Sequence, residues 1–246
     1  MLSLTPGPGL VTGGASGMGA AVCELLQREG CRVASLDPND GGPADLRIAC
    51  DVSDDAALDD AYARVVAELG TPRYVFAGAG VSGMVSFLDL DATEWDRVMD
   101  VNLRSVYRTV WLSARGMVDA GIPGCIVVNS SSAGRVADTG FAHYSVAKTG
   151  LRQLVRVAAR ELAPHGVRVN GVAPGFTITG LTAGAAEIPG FLETAAKRVP
   201  LGRVGQADDI AEVVGALYAL GWVTGETISA DGGQNLNGPN QPSSPV

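Results

Sequence analysis

Tyr144 and Lys148 lie four residues apart in an alanine-rich segment whose composition favours a helix. Residues at this spacing share one helix face, so we expect the phenol and the ammonium to lie side by side. A neighbouring positive charge favours the phenolate, so Lys148 should lower the pKa of Tyr144 from its ordinary value of about 10. Such a pair can exchange a proton with an alcohol or a ketone.

Three consecutive serines, Ser130, Ser131 and Ser132, precede this pair. They follow the apolar run 125–128, which is typical of a buried strand. Hydroxyls at the end of such a strand could hold a carbonyl oxygen. The residues alone do not select one of the three.

Strand-like apolar runs alternate with helical periodicity along the chain. The predicted strands cover residues 9–12, 31–36, 46–50, 74–77, 125–128, 167–172 and 227–230. The predicted helices cover residues 20–30, 54–69 with Ser53 as N-cap, 93–120, 144–164, 191–198 and 208–220. This alternation predicts an α/β fold with a doubly wound, mostly parallel sheet and helices on both faces. We expect one domain over residues 1–234 and a loosely ordered tail over 235–246.

A glycine-rich turn, residues 13–19, joins the first predicted strand to the first helix. Its glycines let the backbone approach a pyrophosphate, and the helix N-terminus offers N–H groups to it. Asp37 ends the second strand, where a carboxylate accepts the ribose hydroxyls of NAD and repels a 2′-phosphate. No Arg or Lys occurs in residues 38–43, so NAD is favoured over NADP. Asp51, at the end of the third strand, either accepts from the adenine amino group or serves as a turn residue.

The net charge of −8 and the absence of basic runs argue against binding to nucleic acid or an anionic membrane. No apolar stretch reaches the roughly 18 residues that a membrane helix needs, so a cytoplasmic location is expected. The four cysteines are dispersed, and we interpret them as reduced core residues without a metal.

These motifs in this order resemble the classical short-chain dehydrogenase/reductase family, over residues 10–233. The resemblance rests on the glycine turn with Thr12, Asp51-Val52, Val101-Asn102, the serine run, Tyr144-x-x-x-Lys148, the segment 174–179 and Asp231-Gly232-Gly233. It implies a Rossmann-type sheet of seven strands in the order 3-2-1-4-5-6-7, and a homotetramer or homodimer.

The resemblance also implies residue roles. Tyr144 would be the catalytic acid/base, Lys148 would lower its pKa and hold the nicotinamide ribose, and Ser131 would hold the substrate oxygen. Asn102 would support a proton-relay water, and Thr179 with the backbone near Thr177 would contact the nicotinamide carboxamide. The residues expected at the NAD(H) site are Gly13, Ser16, Gly17, Met18, Gly19, Asp37, Asp51, Val52, Ala79, Gly80, Tyr144, Lys148, Pro174, Gly175, Thr177 and Thr179.

One segment departs from the family pattern. The usual Asn-Asn-Ala-Gly after the fourth strand is Ala77-Gly78-Ala79-Gly80, so an asparagine that would brace the sheet is missing. We expect this to affect local stability more than catalysis.

The expected substrate is a small neutral, apolar secondary alcohol or ketone, cyclic or steroid-like. An apolar lid is predicted from Phe176, Ile178, Leu181, Ile188, Phe191 and Leu192, and the other wall from Val136, Phe141, Gly83 and Met84. Arg135, Asp138 and His143 flank the site. Two alternatives stay open: an NADPH-dependent 3-oxoacyl-carrier-protein reductase, which Asp37 disfavours, and a dinucleotide-binding regulator without catalysis.

Overall fold

The computed structural model describes residues 4–236. Seven strands form one parallel sheet in the order β3-β2-β1-β4-β5-β6-β7, which confirms the predicted fold class and strand order. The strands are β1 Gly9–Thr12, β2 Val33–Asp37, β3 Leu46–Ala49, β4 Tyr74–Ala77, β5 Gly124–Asn129, β6 Val167–Pro174 and β7 Thr227–Ala230. The helices are α1 Gly17–Arg28, α2 Asp55–Leu69, α3 Ala92–Met99, α4 Ser105–Asp119, α5 Ala142–Leu162, α6 Ala183–Ala186, α7 Phe191–Ala196 and α8 Ala207–Ala219.

Both faces of the sheet are buried, as the continuous apolar strands predict. Leu10, Val75 and Ile126 are aligned across β1, β4 and β5 and belong to the core under α2, α4 and α5. Their chain neighbours Val11, Phe76 and Val127 point to the opposite face, which α1 and α8 cover. The site-bearing ends of the strands are therefore held by two layers of packing.

The predicted helix over 93–120 is not one uniform α-helix. A π-helical segment, Asp100–Arg104, separates α3 from α4 and contains Asn102. A π-helical turn adds a residue to the helical repeat and often occurs at functional sites. Apolar periodicity alone did not indicate it, because the inserted residue keeps the chain helical.

The N-cap predicted for α2 is also wrong by one residue. Asp54, not Ser53, accepts hydrogen bonds from the backbone N–H groups of Ala56 and Ala57. The Ser53 hydroxyl instead donates to Asp51 Oδ1 at 2.7 Å. A carboxylate accepts these bonds better than a hydroxyl because the helix N-terminus carries partial positive charge.

The four cysteines are buried and unpaired. Burial raises the pKa of all four thiols, to about 12 for Cys23 and to about 11 for Cys50 and Cys125. Within residues 4–236, no helix is long and apolar enough to cross a membrane. Of the predicted tail, Asn235 and Leu236 lie in a short 3-10 turn, and residues 237–246 fall outside the described residues.

Candidate active site

The candidate site lies where β1, β4, β5 and β6 reach their carboxyl ends. Tyr144 and Lys148 both belong to α5, which starts just after a loop that follows β5. Ser131 ends the link between β5 and a 3-10 turn, Ser132–Gly134. The topology thus brings the serine run and the tyrosine–lysine pair to one edge of the sheet.

Tyr144 is partly buried, and the nearby Ser131 side chain acts on its phenol to lower the pKa. Its ring also meets Phe141 edge-on, with ring centroids 6.2 Å apart. The Ser131 hydroxyl accepts a bond from the Ala133 backbone N–H at 3.1 Å, which fixes its position. Two hydroxyls held next to each other can grip one substrate oxygen.

Ser130 and Ser132 have different surroundings. Ser130 is buried, and its hydroxyl donates to the backbone carbonyl of Lys148 at 2.9 Å, which ties β5 to α5. Ser132 begins the 3-10 turn, and its carbonyl accepts from the Arg135 N–H. Ser131 is therefore the serine whose side chain meets Tyr144.

Lys148 is buried, with 2% of its surface exposed. Its Nζ donates to the Asn129 carbonyl at 2.8 Å and lies 5.5 Å from the centre of the Tyr144 ring. Burial disfavours the ammonium and lowers the pKa of Lys148 from 10.5 to about 8.

The expected lowering of the Tyr144 pKa is not what the structure shows. Burial raises the pKa of Tyr144 above 10, and the nearby Ser131 side chain opposes this rise only in part. The reason is geometric, because the ammonium lies over the ring and bonds Asn129 rather than the phenolic oxygen. Spacing along a helix predicts a shared face, but not which atom the ammonium approaches.

Asn102 is fully buried in the π-helical segment, and its side chain is bonded at both ends. Its Nδ2 donates to the carbonyls of Val81 and Val98, at 2.9 and 3.0 Å. Its Oδ1 accepts from the Val81 N–H at 3.2 Å. The side chain therefore joins the loop after β4 to the helix beneath it.

In the glycine turn the backbone packs closely against neighbouring backbone. A Cβ on Gly19 would lie 2.0 Å from the Gly13 carbonyl oxygen, and one on Gly13 would lie 3.0 Å from Ala79 Cα. Ser16 is the N-cap of α1 but makes no capping bond with its side chain, so N–H groups of the first turn remain available. Met18 packs against the core under α1. Gly13 and Ala79, both expected at the cofactor site, are thus in contact.

Asp37 lies at the end of β2, beside this turn. Its Oδ2 accepts from the Ala15 N–H at 3.2 Å, and its Oδ1 accepts from the Asn39 N–H at 2.9 Å. The carboxylate is therefore fixed next to the glycine turn, as a ribose-binding carboxylate must be.

Asp51 has the geometry of a turn residue. Its Oδ1 accepts from both the backbone N–H and the hydroxyl of Ser53, and these bonds lower the pKa of Asp51. The neighbouring Val52 is buried in the core. Asp51 remains exposed, so its carboxylate has acceptor positions left for an amino group.

The missing asparagine after β4 is compensated by another side chain. The Thr12 hydroxyl accepts from the N–H groups of Gly78 and Ala79, at 3.1 and 3.2 Å. A Cβ on Gly78 would lie 2.3 Å from the Phe76 ring. Thr12 therefore braces the end of β4, and the Phe76 ring fills the volume that a side chain at position 78 would need. The loss of bracing that the sequence led us to expect is not seen.

The segment after β6 divides into two parts. The Gly175 N–H donates to the Ala230 carbonyl, which holds Pro174 and Gly175 against the turn at Asp231. Thr177 is buried, whereas Thr179 reaches the glycine turn. A Cβ on Gly17 would lie 3.1 Å from Thr179 Cβ. Thr179 therefore lies against Gly17 of the glycine turn.

Sequence reasoning missed a polar cluster under the loop after β4. His143, next to Tyr144, is fully buried, and its Nε2 lies 3.4 Å from Glu94 Oε1. Arg97 donates twice to the same carboxylate, at 2.7 and 2.8 Å, and its bonds lower the pKa of Glu94 to about 2. The i,i+3 spacing of Glu94 and Arg97 was a readable signal. The contact with His143 depends on tertiary structure.

Several apolar side chains that were expected on the substrate side are exposed. Met84 is 75% exposed and lies against Gly140, and Val136 follows the serine turn. Leu181 and Ile188 in the predicted lid are 54% and 56% exposed. The Phe176 and Phe191 rings pack on each other with centroids 5.2 Å apart. Residues 4–236 contain no cluster of three or more acidic, His or Cys residues arranged to hold a metal ion.

The chain is similar to known proteins over most of its length. The family model described as "Enoyl-(Acyl carrier protein) reductase" matches residues 13–235. An acetoacetyl-CoA reductase from Synechocystis is 36% identical over 228 residues, which covers 91% of this chain and 94% of that protein. A 3-oxoacyl-[acyl-carrier-protein] reductase from Pseudomonas aeruginosa is 33% identical over 251 residues, covering 96% of this chain and all of that protein.

A solved structure is also similar to this chain over nearly its whole length. A short-chain type dehydrogenase/reductase from Mycobacterium marinum superposes with a TM-score of 0.88 at 29% identity. The match covers 95% of this chain and 97% of the other.

Proposed function

Because this chain belongs to the short-chain dehydrogenase/reductase family, we propose that it transfers a hydride between NAD(H) and a secondary alcohol or ketone. The observation that carries the proposal is the grouping of the Ser131 hydroxyl, the Tyr144 phenol and the buried Lys148 ammonium at one place. A structural tyrosine would not need a second fixed hydroxyl and a buried ammonium at the same place.

The residues fit a dinucleotide. The backbone of residues 13–19 leaves no room for side chains at Gly13, Gly14 and Gly19, so a pyrophosphate can approach the backbone closely. Asp37 and Asp51 would hold the adenosine end, and Thr177, Thr179, Tyr144 and Lys148 the nicotinamide end. When bound, the cofactor supplies the hydride acceptor or donor.

The chain's own residues handle the substrate oxygen and one proton. Ser131 donates a hydrogen bond to that oxygen as negative charge grows on it during reduction. Tyr144 Oη then delivers the proton in reduction, or accepts it in oxidation. Lys148, with a pKa of about 8, remains mostly protonated at pH 7 and supplies positive charge near the ring. Asn102 positions the loop that closes this corner.

Asp37 supports NAD over NADP. The loop after β2 adds Asp40 and Asp45 but no Arg or Lys, so nothing in it would pair with a 2′-phosphate. A carboxylate fixed by Ala15 and Asn39 would repel that phosphate.

The exposed apolar side chains Met84, Val136, Leu181 and Ile188 support an apolar substrate. A second candidate is a 3-oxoacyl or 3-hydroxyacyl thioester. The similarity to proteins named acetoacetyl-CoA reductase and 3-oxoacyl-[acyl-carrier-protein] reductase favours it. Both candidates present a neutral carbonyl to Ser131 and Tyr144.

We also propose a homotetramer or homodimer in the cytoplasm. Tyr107 and Trp111 on α4, and Val146 and Val157 on α5, are each more than 40% exposed in the single chain. Light scattering on the purified protein tests the assembly.

The Tyr144→Phe variant tests the function. Steady-state turnover with NADH and a panel of cyclic ketones, linear ketones and 3-oxoacyl thioesters should fall by roughly 10²–10⁴-fold, the usual contribution of a general acid. NADH binding, followed by fluorescence, should stay within about twofold, because the phenol oxygen is not part of the glycine cradle. Tyr107→Phe on α4 is the matched control and should keep full turnover.

Turnover of Tyr144→Phe close to that of the parent would overturn the assignment. NADH binding without turnover of any ketone or thioester by the parent would favour the regulator. Higher affinity for NADPH than for NADH would overturn the cofactor preference alone.

A further inference from the structure

A pocket whose lining does not include Ser131, Tyr144 or Lys148 lies among the loop after the serine turn, α5 and the start of β7. It has a volume of about 390 Å³ and is lined by Arg135, Arg152, Arg156, Thr149, Gln153 and Glu226 among others. We call it the arginine pocket. Arg152 and Arg156 lie one and two helical turns beyond Lys148 on α5, and Arg135 belongs to the loop that follows Ser131.

The arginines of this pocket lack partners. Within residues 4–236, the side chains of Arg135, Arg152 and Arg156 make no ion pair or hydrogen bond. Glu226 lines the pocket, but its carboxylate is not within ion-pair distance of any of them. One carboxylate against three guanidinium groups leaves a positive excess, in a chain whose net charge is −8.

Arg152 provides an independent observation. Its Nη1 is buried without any hydrogen-bond partner, although a guanidinium N–H out of contact with water is costly to leave unpaired. Burial lowers the pKa of Arg152, and the charge of the nearby Arg135 lowers it further. The cationic groups therefore destabilise one another until an anion joins them.

We propose that the arginine pocket binds a phosphate-class oxyanion. The planar guanidinium groups of Arg152 and Arg135 would each donate in bidentate fashion to its oxygens, with Thr149 and Gln153 as further donors. The volume suits a small phosphate-bearing molecule, since ligand pockets are commonly about 300–1,000 Å³. The site is distinct from the glycine cradle, which lies at the ends of β1 and β4.

Because of its position, the arginine pocket would let a bound anion connect two elements of the candidate active site. The Thr149 hydroxyl donates to the Gly134 carbonyl at 3.3 Å, and a Cβ on Gly134 would lie 3.3 Å from Arg152 Cδ. An oxyanion joining Arg135 to Arg152 would therefore tie the turn that follows Ser131 to the helix that carries Tyr144.

Titration of the full chain with inorganic phosphate tests the proposal, by calorimetry in the presence of saturating NADH so that the pyrophosphate cradle is filled. We expect one saturable phosphate per chain. Arg152→Gln and Arg135→Gln should each weaken phosphate binding at least tenfold. Arg160→Gln, on the same helix but outside the pocket, removes the same charge and should leave phosphate affinity unchanged. Arg135 is exposed, so its variant remains informative if Arg152→Gln folds poorly.

Absence of saturable phosphate binding overturns the proposal, as does equal weakening in all three variants, which would indicate only a general charge effect. Light scattering tests the remaining alternative, in which the oxyanion is a carboxylate of another copy of the chain. If Arg152→Gln lowers the assembly mass without changing phosphate affinity, the pocket pairs with carboxylates of another copy of the chain, and the phosphate site is rejected.

Discussion

The cofactor-side cradle, residues 9–37, and the substrate-side connection, residues 176–200, meet where Thr179 lies against Gly17 but are built differently. In the cradle, β1 and β2 are fully buried, and a Cβ on Gly19 would lie 2.0 Å from a backbone oxygen. In the connection, α6 and α7 have four and six residues, and Gly184 and Gly190 have no atom within 4 Å of an added Cβ. One region is constrained by backbone contacts, and the other has unfilled space.

The two regions are suited to two different tasks, binding the dinucleotide and selecting the substrate. A dinucleotide is the same molecule in every catalytic cycle, so a preformed cradle avoids the entropy loss of ordering it on binding. Under the proposed function, substrate specificity would instead depend on exposed side chains such as Leu181 and Ile188, which can change without disturbing the sheet.

The largest expected effect on stability comes from adding one methyl group to the cradle, compared with adding one to the connection. Gly19→Ala forces a Cβ against the Gly13 carbonyl, so the free energy of unfolding should fall by about 3 kcal/mol, the upper range for overpacking. NADH affinity should fall with it, because the turn must move. Gly184→Ala places the same methyl in open space within α6, and should be neutral or stabilising by less than about 1 kcal/mol. Urea unfolding measures both.

Equal effects of the two alanine substitutions would break the comparison. The result would mean either that the cradle can relax or that the connection is as tightly packed as the turn.

The same contrast explains how far the sequence predicts the molecule. The glycine turn was predictable because backbone requirements leave few residue choices there, and Asp37 because of its place at the end of the second strand. The strand order followed from the resemblance to a known family. The π-helical turn at Asn102, the bracing by Thr12 and the burial of His143 against Glu94 were not, because each depends on residues distant in sequence. For Tyr144, the helical spacing was informative but the pKa direction was not, since burial is a tertiary property.

Lys148 on α5 is as buried as the strands of the cradle, and its charge should reduce stability at neutral pH. Its pKa is about 8 in the fold and 10.5 when exposed, so between these values the unfolded chain binds more protons. Stability attributable to this group therefore rises with pH. From pH 7 to 9.5 the free energy of unfolding of the parent should rise by about 2 kcal/mol relative to Lys148→Met. Denaturant titrations of both proteins at the two pH values measure this.

The comparison with Lys148→Met cancels the titration of cysteines and other tyrosines, which both proteins share. A difference in stability independent of pH would show that Lys148 is not buried as an ammonium. In that case Lys148 would resemble the exposed residues of the connection rather than the buried residues of the cradle.

Cofactor choice should depend on the cradle alone. Asp37→Ser removes the carboxylate that accepts ribose hydroxyls, and loss of such a charge-assisted bond costs about 1.5–3 kcal/mol, or roughly tenfold or more in NADH affinity. Affinity for NADPH should rise as the repulsion disappears. Asp40→Ser, an exposed carboxylate in the same loop, is the control and should change neither. Unchanged selectivity in Asp37→Ser would remove the basis for preferring NAD.

The smallest effect on stability is expected in the connection. Leu181→Ala and Ile188→Ala remove side chains that are already more than half exposed, so each should change the free energy of unfolding by less than about 0.5 kcal/mol. Each should nevertheless lower kcat/KM for an apolar ketone several-fold, because the lost methyl groups no longer cover substrate, at about 25 cal/mol per Å². Leu220→Ala, at the end of α8, is equally exposed and should leave kcat/KM unchanged. If the connection variants instead weaken NADH binding while kcat/KM at saturating NADH holds, these residues cover the cofactor, and the division between the two regions lies elsewhere.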